Sequence, residues 1–76
     1  MARIITIKLD LNCDEAAMKR LLEAAGCSCI IIPDSHYGCY AEVYVRKEIA
    51  KTVMDRLTKE RNKAMIDGSI SIMEED

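Results

Sequence analysis

The sequence predicts a single α+β domain, residues 1–76, whose elements follow in the order β-α-β-β-α-β. Two kinds of pattern carry this prediction. Stretches in which apolar and polar residues alternate are typical of strands, and two stretches with apolar residues three or four positions apart are typical of amphipathic helices. The sequence contains no low-complexity segment and no linker-like stretch, and its length suits one domain with a small core.

The composition restricts the class of protein. Half of the residues are apolar, but Phe and Trp are absent, so the core must be built from aliphatic residues and cysteine. Such a core is small, and oligomerisation would add stability. The net charge of −2 gives no bias towards nucleic acid or anionic membranes, and no apolar run is long enough to span a bilayer. The alternating N-terminus is unlike a signal peptide, so we expect a cytoplasmic protein with four reduced cysteines.

The first strand and the first helix are predicted within residues 3–25. Along residues 3–11, one strand face carries Ile5, Ile7, Leu9 and Leu11, and the other carries Ile4, Thr6, Lys8 and Asp10. Asn12 lies three residues before Glu15, which is the spacing of an N-terminal capping box. The helix would run from residue 13 to residue 25, and Gly26 would end it in the left-handed conformation that glycine tolerates.

A β-hairpin is predicted over residues 27–46, with its turn at residues 33–36. Its second arm alternates between Cys39, Ala41, Val43 and Val45 on one face and Tyr40, Glu42, Tyr44 and Arg46 on the other. The first arm, residues 27–32, is apolar on both faces, so the sequence leaves open which face points inwards.

The second helix is predicted to begin near Lys47 and to end around residue 62. Its apolar stripe consists of Ile49, Ala50, Val53, Met54 and Leu57. A turn at residues 67–68 would lead into a short last strand over residues 69–73.

This order of elements resembles the ferredoxin-like fold. The resemblance implies a four-stranded antiparallel sheet with both helices on one face and with the first and third strands in the centre. The outward residues of those strands would form the middle of a face that no helix covers, and such a surface suits contact with a partner. The predicted partner-binding residues are Tyr40, Tyr44, Glu42, Ile4, Thr6 and His36. The alternative is that strands favour Tyr and Ile, and that cross-strand packing fully explains them.

The stretch at residues 37–44, YGCYAEVY, partly resembles the third-strand signature of RNA-recognition motifs, which share this order of elements. The sequence departs from that signature at two positions. Glu42 stands where a second stacking aromatic is expected, and Thr6 replaces an aromatic on the first strand. Residues 46–63 hold seven basic and three acidic side chains, which places the positive charge on the second helix instead. We therefore do not expect nucleic acid to be the partner.

The hairpin also contains residue types that bind zinc: Cys27, Cys29, His36 and Cys39, spaced C-x-C-x6-H-x2-C. The first two cysteines would lie about 6.6 Å apart along a regular strand, which opposes their convergence on one ion. Small metal-binding domains of this fold carry M-x-C-x-x-C after the first strand, and here Ala16 occupies the position of the second cysteine. We expect free thiols that behave as small apolar residues, with no metal and no cofactor; the metal-binding alternative stays open.

No residues point to catalysis. Asp34, Ser35 and His36 share one turn, whereas the side chains of a catalytic triad converge from separate elements. We expect a non-enzymatic domain that acts by protein–protein contact through the uncovered sheet face or the edge strands. It would be a homodimer, or a small regulator or inhibitor of a larger partner. The alternative is a sensor of a small molecule, a metal or thiol chemistry, because ACT domains resemble this chain in their order of elements.

Overall fold

The computed structural model describes residues 3–29, 31–33 and 38–73. Its elements are β1 (Ile4–Leu11), α1 (Glu15–Ala24), β2 (Ile31–Pro33), β3 (Cys39–Arg46), α2 (Lys47–Lys63) and β4 (Gly68–Met73). The four strands form one antiparallel sheet in the order β2-β3-β1-β4. The α+β class and the order of elements along the chain are therefore confirmed. Within the described ranges, neither helix is long and apolar enough to cross a membrane.

The two central strands, β1 and β3, are paired along their whole length. Ile7 lies opposite Val43 on β3 and opposite Ile72 on β4, so these three side chains share one face of the sheet. On β2, Ile31 lies opposite Ala41 and Ile32 lies opposite Tyr40. This register settles the face that the sequence left open: Ile31 points to the same side as Ala41, and Ile32 points to the side of Tyr40.

The core lies between that first face of the sheet and both helices. Its buried side chains come from alternate positions of β1 and β3 and from the inner faces of α1 and α2. They are Ile7, Leu9, Leu11, Met18, Leu21, Leu22, Ala25, Cys39, Ala41, Val43 and Leu57. Because both helices contribute to one cluster, they cover the same face of the sheet. The opposite face, which we call the uncovered face, has no helix among the described residues.

The start of α1 corrects the sequence-based prediction. Asp14, and not Asn12, is the N-cap residue: its Oδ1 accepts a hydrogen bond from the backbone N–H of Ala17 at 2.8 Å. The backbone N–H of Asn12 instead donates to the carbonyl oxygen of Asp67 at 2.8 Å, which joins the end of β1 to the segment before β4. The helix consequently begins at Glu15, two residues later than predicted.

The two helices end in the same way but with different residues. After α1, Gly26 adopts φ 75° as predicted, and the N–H of Cys27 donates to the carbonyl of Leu22 at 2.8 Å. After α2, Met65 takes the equivalent position at φ 59°, and the N–H of Ile66 donates to the carbonyl of Arg61 at 3.1 Å. A residue with a Cβ atom is strained in this left-handed region. The backbone is therefore strained at Met65 after α2 but not at Gly26 after α1.

The second helix starts directly after β3, without a connecting loop. The N–H of Lys47 donates to the carbonyl of Arg3 at 2.9 Å, which joins this start to the beginning of β1. In its predicted apolar stripe, Ala50 and Leu57 are buried, but Ile49 is 48% exposed. The prediction of a continuously packed stripe is therefore wrong at Ile49.

The first arm of the hairpin is shorter than predicted. Among the described residues of this arm, Ile31–Pro33 pair with β3, whereas residues 27–29 form no strand, and Cys27 and Cys29 pack against the core. Among the described residues, Val43, Val45 and Arg46 of β3 therefore have no strand partner on the β2 side. The predicted turn, including His36, lies outside the described residues.

Candidate functional site

The uncovered face carries large side chains that remain open to solvent. Tyr44 is 65% exposed, Ile32 is 57% exposed and Ile4 is 54% exposed. They come from three different strands, β3, β2 and β1. Apolar and aromatic groups on several strands of one uncovered sheet form a surface rather than a single exposed residue, which is the feature associated with contact sites.

At the middle of this surface lies a hydrogen-bonded group of three side chains, Tyr40, Glu42 and Tyr44, which we call the tyrosine–glutamate cluster. They occupy alternate positions of β3 and so point to the same side of the sheet. The hydroxyl of Tyr40 donates to Oε2 of Glu42 at 2.6 Å, and the hydroxyl of Tyr44 donates to Oε1. Each carboxylate oxygen therefore accepts one phenol, and Glu42 holds the two rings on either side of it.

The electrostatics of the cluster follow from these two hydrogen bonds. The phenols of Tyr40 and then Tyr44 lower the pKa of the Glu42 carboxyl group, while burial opposes this effect. Lys8, its neighbour on β1, lowers the pKa further, but less than either phenol does. The bond to Glu42 also raises the pKa of Tyr40 to about 12, and the charge of Asp10 adds to this. At neutral pH the lowered pKa keeps Glu42 a carboxylate, and the raised pKa keeps the phenol of Tyr40 neutral.

The cluster forms one wall of a cleft of about 380 Å³. The described residues that line it are Ser28, Cys29, Ile32, Tyr40, Glu42 and Tyr44. Residues 28 and 29 line this cleft beside the β3 side chains, but neither belongs to a strand. Its walls are thus partly apolar, partly aromatic, and negatively charged at Glu42.

Two of the remaining predicted contact residues, Ile4 and Thr6, differ in how much of their side chain is exposed. Ile4 is exposed on the uncovered face, beside Arg46 of β3. Thr6 lies on the same face but is only 6% exposed, and its cross-strand neighbours are the larger Tyr44 and Met73. Thr6 therefore supports the surface from below and presents little area to a partner. His36 lies outside the described residues.

The cysteines are four free thiols distributed around the core. Cys39 is buried, and Cys13, Cys27 and Cys29 are half-buried. Burial raises the pKa of all four thiol groups, so they are neutral at physiological pH. In the described part of the chain, no three His, Cys, Asp or Glu side chains are grouped so that they could hold a metal ion.

A second cleft, of about 410 Å³, lies between α1 and α2 on the other side of the molecule. Glu60 and Lys63 in its lining form an ion pair of 3.8 Å, and its described lining contains no aromatic residue. The charged side chains of this second cleft partly compensate each other, and its described lining has no pair of aromatic rings like that of the tyrosine–glutamate cluster. The tyrosine–glutamate cluster and its cleft are therefore the better candidate site.

Sequence reasoning placed Tyr40, Glu42 and Tyr44 on one face but did not identify the hydrogen bonds between them. The signal was available: a Tyr-x-Glu-x-Tyr spacing on a strand brings two phenols within reach of one carboxylate. Ser28 and Cys29 were not identified as cleft residues, because their position depends on where β2 begins.

No protein-family model matches this chain, and no curated protein or solved structure is significantly similar to it. The function must therefore be argued from the site alone.

Proposed function

We propose that this chain is a non-enzymatic protein–protein interaction module that acts through its uncovered sheet face or its edge strands and self-associates as a homodimer. The observation that carries the proposal is the exposure of Tyr44, Ile32 and Ile4 around the tyrosine–glutamate cluster, on the face without helices. Tyrosine is enriched at protein interfaces because one ring supplies apolar area together with a hydrogen-bonding group. A partner on this face would bury the largest exposed side chains of the sheet.

We further assign the fold to the ferredoxin-like class, and the protein to the cytoplasm. The β-α-β-β-α-β order and the two helices on one face of the sheet support the fold assignment. Four free thiols support a reducing compartment. In this fold, both sheet edges are available for strand addition. Along β4, the residues Gly68–Met73 include no charged side chain that would oppose it.

A protein partner fits the cluster better than RNA does. Base stacking would use the rings of Tyr40 and Tyr44, but the carboxylate of Glu42 lies between them and repels phosphate. The basic residues of α2 lie on the side of the sheet that the helices cover, away from these rings.

One observation favours a second candidate function, a small-molecule sensor of the ACT type. The cleft of about 380 Å³ beside the cluster falls within the size range of ligand pockets, roughly 300–1,000 Å³. The two functions differ in thermal unfolding. A sensor should be stabilised by a small ligand, because binding to the native state raises the melting temperature. A contact module should respond only to its protein partner or to its own concentration.

The test of the proposed function is sedimentation velocity over a range of protein concentrations, with a double variant of the cluster, Tyr40→Ser with Tyr44→Ser. We expect a reversible dimer for the natural sequence. The double variant should raise the dimer Kd by about 30-fold or more, the loss expected when interface hot spots are truncated.

Ile49→Ser is the matched control, because Ile49 is also an exposed apolar residue but lies on α2. It should leave the dimer Kd unchanged, and circular dichroism should show that all variants are folded. A folded double variant that dimerises as tightly as the natural sequence would overturn the role of this face. A natural sequence that stays monomeric at every concentration would overturn self-association.

A further inference from the structure

We infer that the cleft beside the tyrosine–glutamate cluster receives an arginine side chain presented by the protein partner. This inference rests on the proposed function and names the chemistry of the partner at one position. Three features of the cleft lead to it: a negative charge that the phenols do not neutralise, unused acceptor positions on that charge, and flat apolar walls on either side.

The first feature is the charge. Tyr40 and Tyr44 donate hydrogen bonds to Glu42 but carry no charge themselves, so the carboxylate is held in place while its charge persists. Lys8 is the neighbouring cation on β1, and Asp10 on the same strand face carries the opposite charge. Lys8, Asp10 and Glu42 together leave a net charge of −1 beside the cleft, whereas Arg46, the other charged residue on this face of β3, lies opposite Ile4 at the end of the strand. A cationic group therefore complements this place, and an anionic group does not.

The second feature is the number of acceptor positions. A carboxylate offers about four lone-pair positions, and the two phenols use one on each oxygen. One position on each oxygen remains. A guanidinium group presents parallel N–H donors that match two carboxylate oxygens, whereas an ammonium group is a single point charge. The free positions of Glu42 therefore suit arginine better than lysine.

The third feature is the nature of the walls. The rings of Tyr40 and Tyr44 and the side chain of Ile32 line the cleft next to the carboxylate. A guanidinium group is planar and weakly hydrated, and it stacks on aromatic rings, which a strongly hydrated ammonium group does less well. The guanidinium group of an arginine in the cleft would donate hydrogen bonds to Glu42, and its methylene chain would pack against the aromatic walls.

The experiment is an NMR titration of the whole protein with three capped tripeptides, acetyl-Gly-X-Gly-amide, in which X is arginine, lysine or citrulline. Citrulline has nearly the shape of arginine but no charge. At low salt, where charge interactions are least screened, we expect the arginine peptide to bind in the millimolar range. It should shift the ring signals of Tyr40 and Tyr44. The citrulline peptide should bind about tenfold more weakly or not at all, and the lysine peptide should lie between them.

Glu42→Gln tests the role of the carboxylate and should weaken arginine binding by about tenfold. Glu60→Gln removes the same charge from α2 and should leave binding unchanged. Tyr44→Phe removes one phenol and keeps the ring, so it should still bind the arginine peptide. Equal binding of arginine and citrulline, shifts confined to other parts of the molecule, or full binding by Glu42→Gln would each overturn the inference.

The two proposals can fail separately. If the arginine peptide does not bind but the Tyr40→Ser, Tyr44→Ser variant loses its dimer, the role of the uncovered face in self-association is supported. The inference that the cleft receives an arginine is then wrong. If the arginine peptide binds at the cluster but the double variant keeps its dimer, the arginine site stands and self-association through this face is wrong.

Discussion

Strand β3 presents two different surfaces on one backbone. On the side covered by the helices, Cys39, Ala41 and Val43 are small and buried, and they belong to the same core cluster as residues of both helices. On the other side, Tyr40, Glu42 and Tyr44 are large, partly open and hydrogen-bonded to one another. The covered face determines whether the domain folds. On the uncovered face, Tyr40 and Tyr44 are hydrogen-bonded to Glu42, and none of these three side chains belongs to the core cluster.

The largest test of this difference compares two substitutions on β1 that remove the same number of carbon atoms. Leu9→Ala on the covered face should lower the free energy of unfolding by ~2–5 kcal/mol, because Leu9 is completely buried. Ile4→Ala on the uncovered face should cost less than ~1 kcal/mol. Urea denaturation at low protein concentration measures both, since a dimer would otherwise contribute to the result. Equal costs would show that the uncovered face is packed within the monomer.

A smaller effect is expected from Glu42→Gln, measured by the absorbance of phenolate during an alkaline titration. In the natural sequence, the hydrogen bond to Glu42 raises the pKa of Tyr40 to about 12. Replacing the carboxylate should lower it towards the ordinary tyrosine value of about 10. Glu60→Gln, on α2, should leave the titration unchanged. An unchanged Tyr40 pKa in Glu42→Gln would mean that the cluster does not form in solution.

The same bonds predict how stability depends on pH. The pKa of Tyr40 is raised on folding, so its contribution is complete below about pH 10 and is lost as the pH rises through about 12. The pKa of Glu42 is lowered, so its contribution is present above the ordinary carboxyl pKa and is lost as the pH falls through the lowered value. Glu42→Gln should flatten both slopes of a plot of unfolding free energy against pH. Slopes as steep as those of the natural sequence would contradict this assignment.

The smallest effect should come from a site on neither face. Met65→Gly relieves the positive φ at the end of α2 and should raise the free energy of unfolding by ~0.5–1 kcal/mol. Ala64→Gly is the matched control, because Ala64 has an ordinary helical φ of −80°, and this change should not stabilise the protein. The Tyr40 titration should be the same in both variants. A loss of stability in Met65→Gly would show that the Met65 side chain contributes more than its backbone strain costs.

Much of the fold could be predicted because its signals are local. Period-two alternation placed every side chain of β1 and β3 on the face where it lies. The N-cap of α1 could not be predicted in the same way. Asn12 and Asp14 are both good capping residues. The backbone N–H of Asn12 instead donates to the carbonyl oxygen of Asp67, which is distant in sequence. The length of β2 was also overestimated, because an arm that is apolar on both faces does not specify how far it pairs.

The candidate site was predictable only in part, for related reasons. The three cluster residues share a face, which the sequence shows, and their spacing permits the hydrogen bonds that form. The cleft requires Ser28 and Cys29 to lie beside β3 without pairing with it, and that depends on tertiary packing of the half-buried cysteines. The low exposure of Thr6 likewise arises from neighbours on two other strands.

The short β2 strand has a consequence for amide hydrogen exchange. Residues 39–41 of β3 pair with strands on both sides, whereas Val43, Val45 and Arg46 pair only with β1 among the described residues. In an antiparallel ladder, alternate residues direct their N–H groups to opposite neighbours. Among these three residues, an amide directed away from β1 should therefore exchange rapidly, and one directed towards β1 should stay protected. Binding of an added strand at this edge would slow those particular amides.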